Sequence, residues 1–184
     1  MPEYAVIDVE TTHGDPRQGS IIEVGVLCHD GMRDTHAWSS LVRPSTPIPG
    51  FIRRLTGIGP SDVADAPRFS EVVAGLQRST KDHIVVAHNV RYDMTALEHE
   101  FARTGLVFHR ETLCTEQLSR ELVPHLSHYN LGSLCRYFGI PFHGRHRALN
   151  DARATLALHQ RLMGEFGEER LLARTRLWPW QARA

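Results

Sequence analysis

Short apolar runs rich in β-branched residues predict β-strands in the first half of the chain. Three of them cover residues 4–9, 21–27 and 37–42, and a proline-rich stretch ends the third. A fourth run, residues 84–87, is fully apolar, which is typical of a buried strand. Because connections of hairpin length join the first three strands, strands dominate the beginning of the domain.

Apolar residues recur at helical spacing elsewhere, as at Phe69, Val72, Val73 and Leu76. This period predicts amphipathic helices. Glycine marks the end of several of them. The predicted helices cover residues 51–55, 69–76, 92–101, 113–122, 131–138 and 149–163.

Strands at the start, followed by alternating strands and helices, predict an α/β fold with a mixed sheet and helices packed on its faces. The chain has 184 residues and lacks a long linker, which predicts one domain over residues 4–165. Residues 166–184 are predicted to be a C-terminal tail of unknown role. Trp178 and Trp180 in this tail either anchor a partner protein or fold back on the domain.

Composition narrows the function classes. Hydrophobic residues make up 41% of the chain, and no apolar run is long enough to cross a bilayer, so no membrane partner is expected. Three scattered cysteines, Cys28, Cys114 and Cys135, are typical of buried thiols in a reducing compartment, which predicts a cytoplasmic protein. Because the formal net charge is zero, any surface that binds nucleic acid must be local.

Two carboxylates stand at the end of the first predicted strand. Asp8 and Glu10 are two positions apart, so both side chains project from the same face of the strand. Adjacent acids repel each other and are costly to desolvate, and a bound hard cation removes that cost. The same pattern also occurs as exposed acids that cap the end of a strand.

Three further residues are candidates for chemistry. Asp93 begins a helix after the buried fourth strand, where it could simply favour the positive end of the helix dipole. Asp151 lies near the start of the last helix and could be a capping residue. His146, in a loop with Gly144, could be an ordinary surface histidine. Each residue alone is unremarkable, but together they follow a recognisable order.

That order resembles the DEDDh exonucleases, the family of the proofreading epsilon subunit of DNA polymerase III and of ribonuclease T. The chain has Arg147 where a sister group has tyrosine, so the histidine subgroup is the match. It departs from the family at His13, where glycine is usual, and at Tyr92, where phenylalanine is common. The stretches that carry the resemblance are residues 6–12, 21–25, 55–58, 87–93 and 146–152.

The resemblance implies a ribonuclease H-like fold, with a five-stranded mixed sheet, an antiparallel second strand and the acids at one sheet edge. It implies that His146 is the general base and that the metal ligands are Asp8, Glu10, Asp93 and Asp151. Two divalent ions, Mg²⁺ or Mn²⁺, about 4 Å apart would activate water and stabilise the departing 3′-oxygen.

Substrate contacts are also implied. Thr11 and Thr12 would receive the terminal 3′-hydroxyl, and Leu55 and Ile58 would contact the terminal base, although all four could equally serve packing and turn formation. Arg145 and Arg147 flank His146 and could contact phosphate, or they could be a solvated pair.

Three functions follow from the resemblance. The first is a 3′→5′ exonuclease that acts on single-stranded DNA in repair or proofreading. The second is a 3′→5′ exoribonuclease that trims RNA ends. The third is a proofreading or interaction subunit of a DNA polymerase or repair complex.

Overall fold

A computed structural model describes residues 3–180 and places a six-stranded mixed sheet at the centre of the protein, in the order β3-β2-β1-β4-β5-β6. Strand β1 is antiparallel to β2 and parallel to β4, while β6 runs antiparallel to β5. The predicted mixed sheet is confirmed, but it has six strands instead of five. The strands are β1 (Tyr4–Thr11), β2 (Ile21–His29), β3 (Asp34–Leu41), β4 (Ile84–Ala87), β5 (Arg110–Cys114) and β6 (Arg176–Trp178).

Helices cover both faces of the sheet, and each predicted helical segment contains a helix. Within residues 3–180, none of the helices combines the length and apolar character that a bilayer crossing requires. The helices are α1 (Gly50–Thr56), α2 (Phe69–Thr80), α3 (Val90–Arg103), α4 (Thr115–Leu122), α5 (Leu131–Phe138), α6 (Ala148–Phe166) and α7 (Glu168–Leu172).

The prediction of one helix over residues 113–122 is wrong at its start. Leu113 and Cys114 belong to β5, where they pair with Val86 and Ala87 of β4. The helix begins only at Thr115. Pairing with a buried neighbouring strand therefore overrides the local helical pattern, because β-propensity depends on context.

The alternation of β1 separates the core into two layers. Ala5, Ile7 and Val9 point towards the layer that includes α2 and α3. Tyr4 and Val6 point the other way, towards the layer of α4, α5 and α6. Since side chains alternate along a strand, Asp8 and Glu10 share the face of Tyr4 and Val6 and look towards α6.

The last described segment packs on the same sheet. Trp178 in β6 is buried, and its ring lies 5.4 Å from that of Trp180. The indole N–H of Trp180 donates to Thr112 Oγ1 at 3.0 Å. Both tryptophans therefore fold back on the domain, which is one of the two alternatives for the tail. Residues 181–184 of the predicted tail lie outside the described residues.

Candidate active site

The acids of β1 stand on a central strand between β2 and β4, and their pKa values are raised. Burial raises the pKa of Asp8 well above its ordinary value, and the negative charges of Asp93 and Asp151 add to the rise. Burial raises the pKa of Glu10 to about 8, with a further contribution from Asp151. Half-buried carboxyls of this kind resist ionisation until a positive charge arrives.

Asp93 joins this group from the first turn of α3. Its side chain is 3% exposed, and its Oδ1 accepts a hydrogen bond from the backbone N–H of Val9 at 3.1 Å. The carboxylate thus ties the start of α3 to β1. Burial raises its pKa well above the ordinary value, and the charges of Glu10 and Asp151 act in the same direction.

Asp151 and His146 come from the start of α6 and the loop before it. His146 has a left-handed backbone with φ of 61°, and its N–H donates to Asp151 Oδ1 at 3.1 Å. The pKa of Asp151 is raised to about 6, chiefly by burial. Within residues 3–180, one group of three residues has potential ligand atoms all within 4.8 Å of one another: Glu10, His146 and Asp151.

His146 has the electrostatics of a proton acceptor. Burial lowers the pKa of its imidazole, and the positive charge of Arg145 lowers it further. A histidine with a lowered pKa is neutral at neutral pH, so a ring nitrogen is free to take up a proton. A ring nitrogen of His146 also lies near enough to Glu10 and Asp151 for the residue to be a metal ligand.

Glu23 is a residue of this region for which sequence reasoning proposed no role. It is 5% exposed and accepts hydrogen bonds from Arg147 Nη2 at 2.8 Å and from the N–H of Ala148 at 2.8 Å. Glu23 therefore fastens the first residue of α6 to β2, and it occupies the guanidinium of Arg147. One feature of the sequence points to Glu23: it lies in residues 21–25, one of the stretches that carry the family resemblance.

Gly25 lies two residues further along β2 and meets the same helix. A Cβ at this position would lie 2.6 Å from the backbone nitrogen of Leu149, which is closer than side chains tolerate. The glycine lets α6 approach the sheet, so that Asp151 can reach the acids of β1.

The two predicted threonines are buried and take part in separate networks. The Thr11 hydroxyl donates to the carbonyl of His13 at 2.7 Å and contacts the hydroxyl of Tyr92. Thr12 Oγ1 accepts from the N–H of Ser20 at 2.9 Å. Tyr92 and His13, the two departures from the family pattern, thus meet in one network that fixes the loop after β1.

The remaining residues that were expected to contact substrate differ in how far their side chains are exposed. Leu55 is 49% exposed, which suits a surface contact, whereas Ile58 is 2% exposed and packs with Ile22 and Ile52. The guanidinium of Arg145 lies 5.4 Å from the centre of the Phe142 ring.

A groove leads away from the carboxylates. Its lining includes Asp8, Asp151, His88, Arg120 and Tyr129. The ring of His88 is held on both sides, by Thr115 Oγ1 at 3.0 Å and by the carbonyl of Tyr129 at 2.9 Å. The groove therefore has a fixed wall and opens directly on two of the acids.

A group of partly buried acids and one histidine, on a mixed sheet covered by helices, suits the class of phosphodiester hydrolases that use metal ions. A sequence model of the RNase_T exonucleases matches residues 5–159. The chain therefore belongs to this exonuclease family, as its motifs predicted.

Three named relatives support membership of this exonuclease family. The chain is 32% identical over 163 residues to DNA polymerase III subunit epsilon of Aquifex aeolicus, covering 88% of this chain and 81% of that protein. It is 32% identical to the PolC-type DNA polymerase III of Caldanaerobacter subterraneus over 90% of this chain. It is 31% identical to the 3′-5′ exonuclease DinG of Staphylococcus haemolyticus over 84% of this chain. The chain spans 12% of that polymerase and 17% of that DinG.

Solved structures confirm the ribonuclease H-like fold. Exonuclease X, solved with 5′ overhanging duplex DNA, matches with a TM-score of 0.74 and 28% identity, covering 89% of this chain and 93% of that one. The nuclease domain of a DEDDh family member bound to rAMP matches with a TM-score of 0.80 over 90% of this chain and 94% of that one. Its identity is 20%, so it bears on the fold alone.

Proposed function

We propose that this domain hydrolyses phosphodiester bonds from the 3′ end of single-stranded DNA with the help of two divalent ions. The observation that carries the proposal is the mutual approach, within 4.8 Å, of ligand atoms from Glu10, His146 and Asp151. Strand β1, the loop before α6 and the start of α6 supply these side chains. Of the other two acids, Asp8 lies two positions before Glu10 on β1, and Asp93 accepts a hydrogen bond from the N–H of Val9 in the same strand.

The carboxylates suit divalent metal ions, which the family generally uses. Their pKa values are raised by burial and by mutual repulsion, and a cation relieves both. Asp8, Glu10, Asp93 and Asp151 would hold Mg²⁺ or Mn²⁺. Bound there, the ions supply positive charge for the attacking water and the departing oxygen.

His146 is proposed to be the general base. Its neutral imidazole can accept a proton from water, and the backbone N–H of His146, which donates to Asp151 Oδ1, keeps the residue beside the acids. A role as a metal ligand is the alternative, because its ring nitrogen lies within reach of the same group. Thr11, Thr12 and Leu55 are proposed to receive the terminal nucleotide, and Arg145 to contact phosphate.

DNA is the proposed substrate because two of the relatives with more than 30% identity are named as a subunit or type of DNA polymerase III. Trimming of RNA ends is the competing activity. Association with a DNA polymerase or repair complex is also proposed on these relatives. Size-exclusion chromatography with and without a polymerase tests that association.

A cytoplasmic location is proposed on the state of the thiols. All three cysteines lie in the described part of the chain, where each is buried and unpaired. This is what a reducing compartment allows.

The decisive assay uses 5′-labelled single-stranded DNA and RNA of the same sequence with Mn²⁺. We expect a ladder that shortens from the 3′ end on DNA, and no products with Asp8→Ala or with EDTA. Faster degradation of RNA would transfer the proposal to the exoribonuclease activity. Full activity of wild-type protein in chelator would refute the dependence on metal ions.

A further inference from the structure

The groove that opens on Asp8 and Asp151 carries a positive charge at a defined place. Its volume is about 510 Å³, and its lining also includes residues of α4 and of the loop between α4 and α5. Among the described lining residues, Arg120 is the single arginine or lysine. Its side chain is 57% exposed, so the guanidinium can meet a ligand in the groove.

Two contacts orient the guanidinium of Arg120. Its Nε and Nη2 both donate to Glu116 Oε1, at 3.1 and 2.7 Å, across one turn of α4. Its Cζ lies 4.6 Å from the centre of the Tyr129 ring, which is within the range of a cation–π interaction. Within residues 3–180, Nη1 has no hydrogen-bond acceptor, so its N–H groups are free to donate to a ligand.

The aromatic ring beneath Arg120 is connected to the acids through hydrogen bonds. The Tyr129 hydroxyl donates to the carbonyl of Val123 at 2.8 Å. Because a carbonyl can only accept, His88 Nε2 donates to the backbone carbonyl of Tyr129 at 2.9 Å. His88 comes two residues before the first residue of α3, the helix that carries Asp93. These contacts set the place of Arg120 relative to the proposed metal ligands.

A phosphate group suits this arginine. A guanidinium with free N–H groups forms charge-assisted hydrogen bonds with phosphate oxygens, and a pre-oriented one loses less entropy when it binds. An enzyme that acts at a 3′ end leaves a single nucleotide on the 3′ side of the scissile phosphate, and that nucleotide ends in a hydroxyl. Every other phosphate of the same strand therefore lies on the 5′ side.

We propose that Arg120 binds a phosphate on the 5′ side of the scissile phosphate, and that the groove receives this part of the strand. The inference rests on the proposed function, because it takes the position of the scissile phosphate from the ions that the carboxylates would hold. Arg120 thus favours strands of several nucleotides over a dinucleotide.

The test compares Arg120→Gln with a matched control, Arg161→Gln. Arg161 also pairs with a glutamate four residues away, at 2.7 Å, and its side chain is 55% exposed. It lies on α6 and is not part of the lining of the groove. Each variant therefore loses one ion pair of the same kind, and both should unfold at nearly the same urea concentration.

The substrates are a dinucleotide, which contains only the scissile phosphate, and a longer 5′-labelled single-stranded DNA. For Arg120→Gln we expect KM on the longer strand to rise roughly fivefold to twentyfold, with kcat within about twofold of wild type. The salt slope should fall by about 0.7, which corresponds to one phosphate contact on a single strand. Cleavage of the dinucleotide should stay at the wild-type rate, and Arg161→Gln should match wild type on both substrates.

A neutral methylphosphonate at one internal phosphate at a time locates the contact. With wild type, one position on the 5′ side should raise KM as much as the substitution of Arg120 does, and at that position Arg120→Gln should cause no further loss. Additive losses at every position, or equal effects of Arg120→Gln on both substrates, would overturn the proposal. So would kinetics of Arg120→Gln that match those of Arg161→Gln. A wild-type protein that cleaves neither substrate would overturn the proposed function as well.

Discussion

At the scale of single residues, the carboxyls of the candidate active site are held in an environment that does not favour their charge. The pKa of Glu10 is raised to about 8 and that of Asp151 to about 6, with burial as the first cause of each. A carboxyl with a raised folded-state pKa stabilises the protein below its unfolded pKa, and that contribution is lost as the pH rises through the folded value. The metal-free protein should therefore weaken between about pH 4.5 and pH 8.

Replacing Glu10 tests how much its partly buried charge destabilises the folded protein. We expect Glu10→Gln in EDTA at pH 8.5 to raise the free energy of unfolding by about 1–3 kcal/mol, because the neutral amide carries no charge to desolvate. The gain should vanish near pH 4, and the variant should lose activity. Urea unfolding at both pH values measures the difference. Glu98→Gln, at an exposed position of α3, is the control. A Glu10→Gln variant no more stable than wild type at pH 8.5 would contradict the electrostatic account.

Replacing His146 tests the proposed general base. His146→Ala should lower turnover by about 10²–10⁴ with metal affinity retained. In wild type, the rate should rise with pH and level off below the ordinary histidine pKa, since burial and Arg145 lower the pKa of His146. Stopped assays over a pH series and Mn²⁺ titration give both quantities. His143→Ala, exposed in the same loop, is the control and should be unaffected. A parallel loss of Mn²⁺ affinity would make His146 a ligand.

At the scale of elements, the site depends on how closely α6 docks on β2. Glu23 holds the N–H of Ala148, and Gly25 leaves room for Leu149. Both contacts lie within one turn of Asp151. The position of the fourth acid is therefore set by a strand that contributes no proposed ligand of its own.

A single methyl group on β2 should disturb this docking. Gly25→Ala places a Cβ against backbone atoms of α6, so we expect the free energy of unfolding to fall by about 1–3 kcal/mol. Activity should fall by more than tenfold. Gly164→Ala, in α6 with nothing within 4 Å, is the matched control and should stabilise the protein by up to about 1 kcal/mol. Denaturation and kinetics of both variants test the prediction, which an active, stable Gly25→Ala protein would contradict.

The sequence predicts elements where local periodicity and burial coincide. Strand β4 and helix α5 have the bounds that the apolar pattern predicts, because a continuous run and a glycine stop define them. The local pattern does not predict strand β5, since its five residues acquire their extended shape from pairing with β4. The order of motifs that the chain shares with the family identifies the five catalytic candidates. It does not reveal the pairing of Glu23 with Arg147, which joins residues 124 positions apart.

At the scale of the whole molecule, a net charge of zero means that affinity for nucleic acid comes from local sites. The carboxylate group, with the ions that it is proposed to bind, would be one such site. The tail completes the sheet, because β6 pairs with β5 along its outer edge. Pairing at this edge leaves fewer open hydrogen-bonding groups for another chain.

Trp178 is expected to stabilise the domain because its side chain packs in the core. It is 6% exposed, so Trp178→Ala should lower the free energy of unfolding by about 3–5 kcal/mol. Leu177→Ala, at a neighbouring position that is 62% exposed, should cost less than about 1 kcal/mol. Urea denaturation of the isolated chain measures both. Equal stability of the two variants would contradict the packing of the tail on the sheet.

Counting bound ions tests the central claim most directly. Titration of the wild-type protein with Mn²⁺, followed by electron paramagnetic resonance, should give two ions per chain. Nuclease activity should rise with occupancy, and Asp8→Asn should lose both. A wild-type protein that binds no Mn²⁺ and still shortens DNA from its 3′ end would contradict the claim.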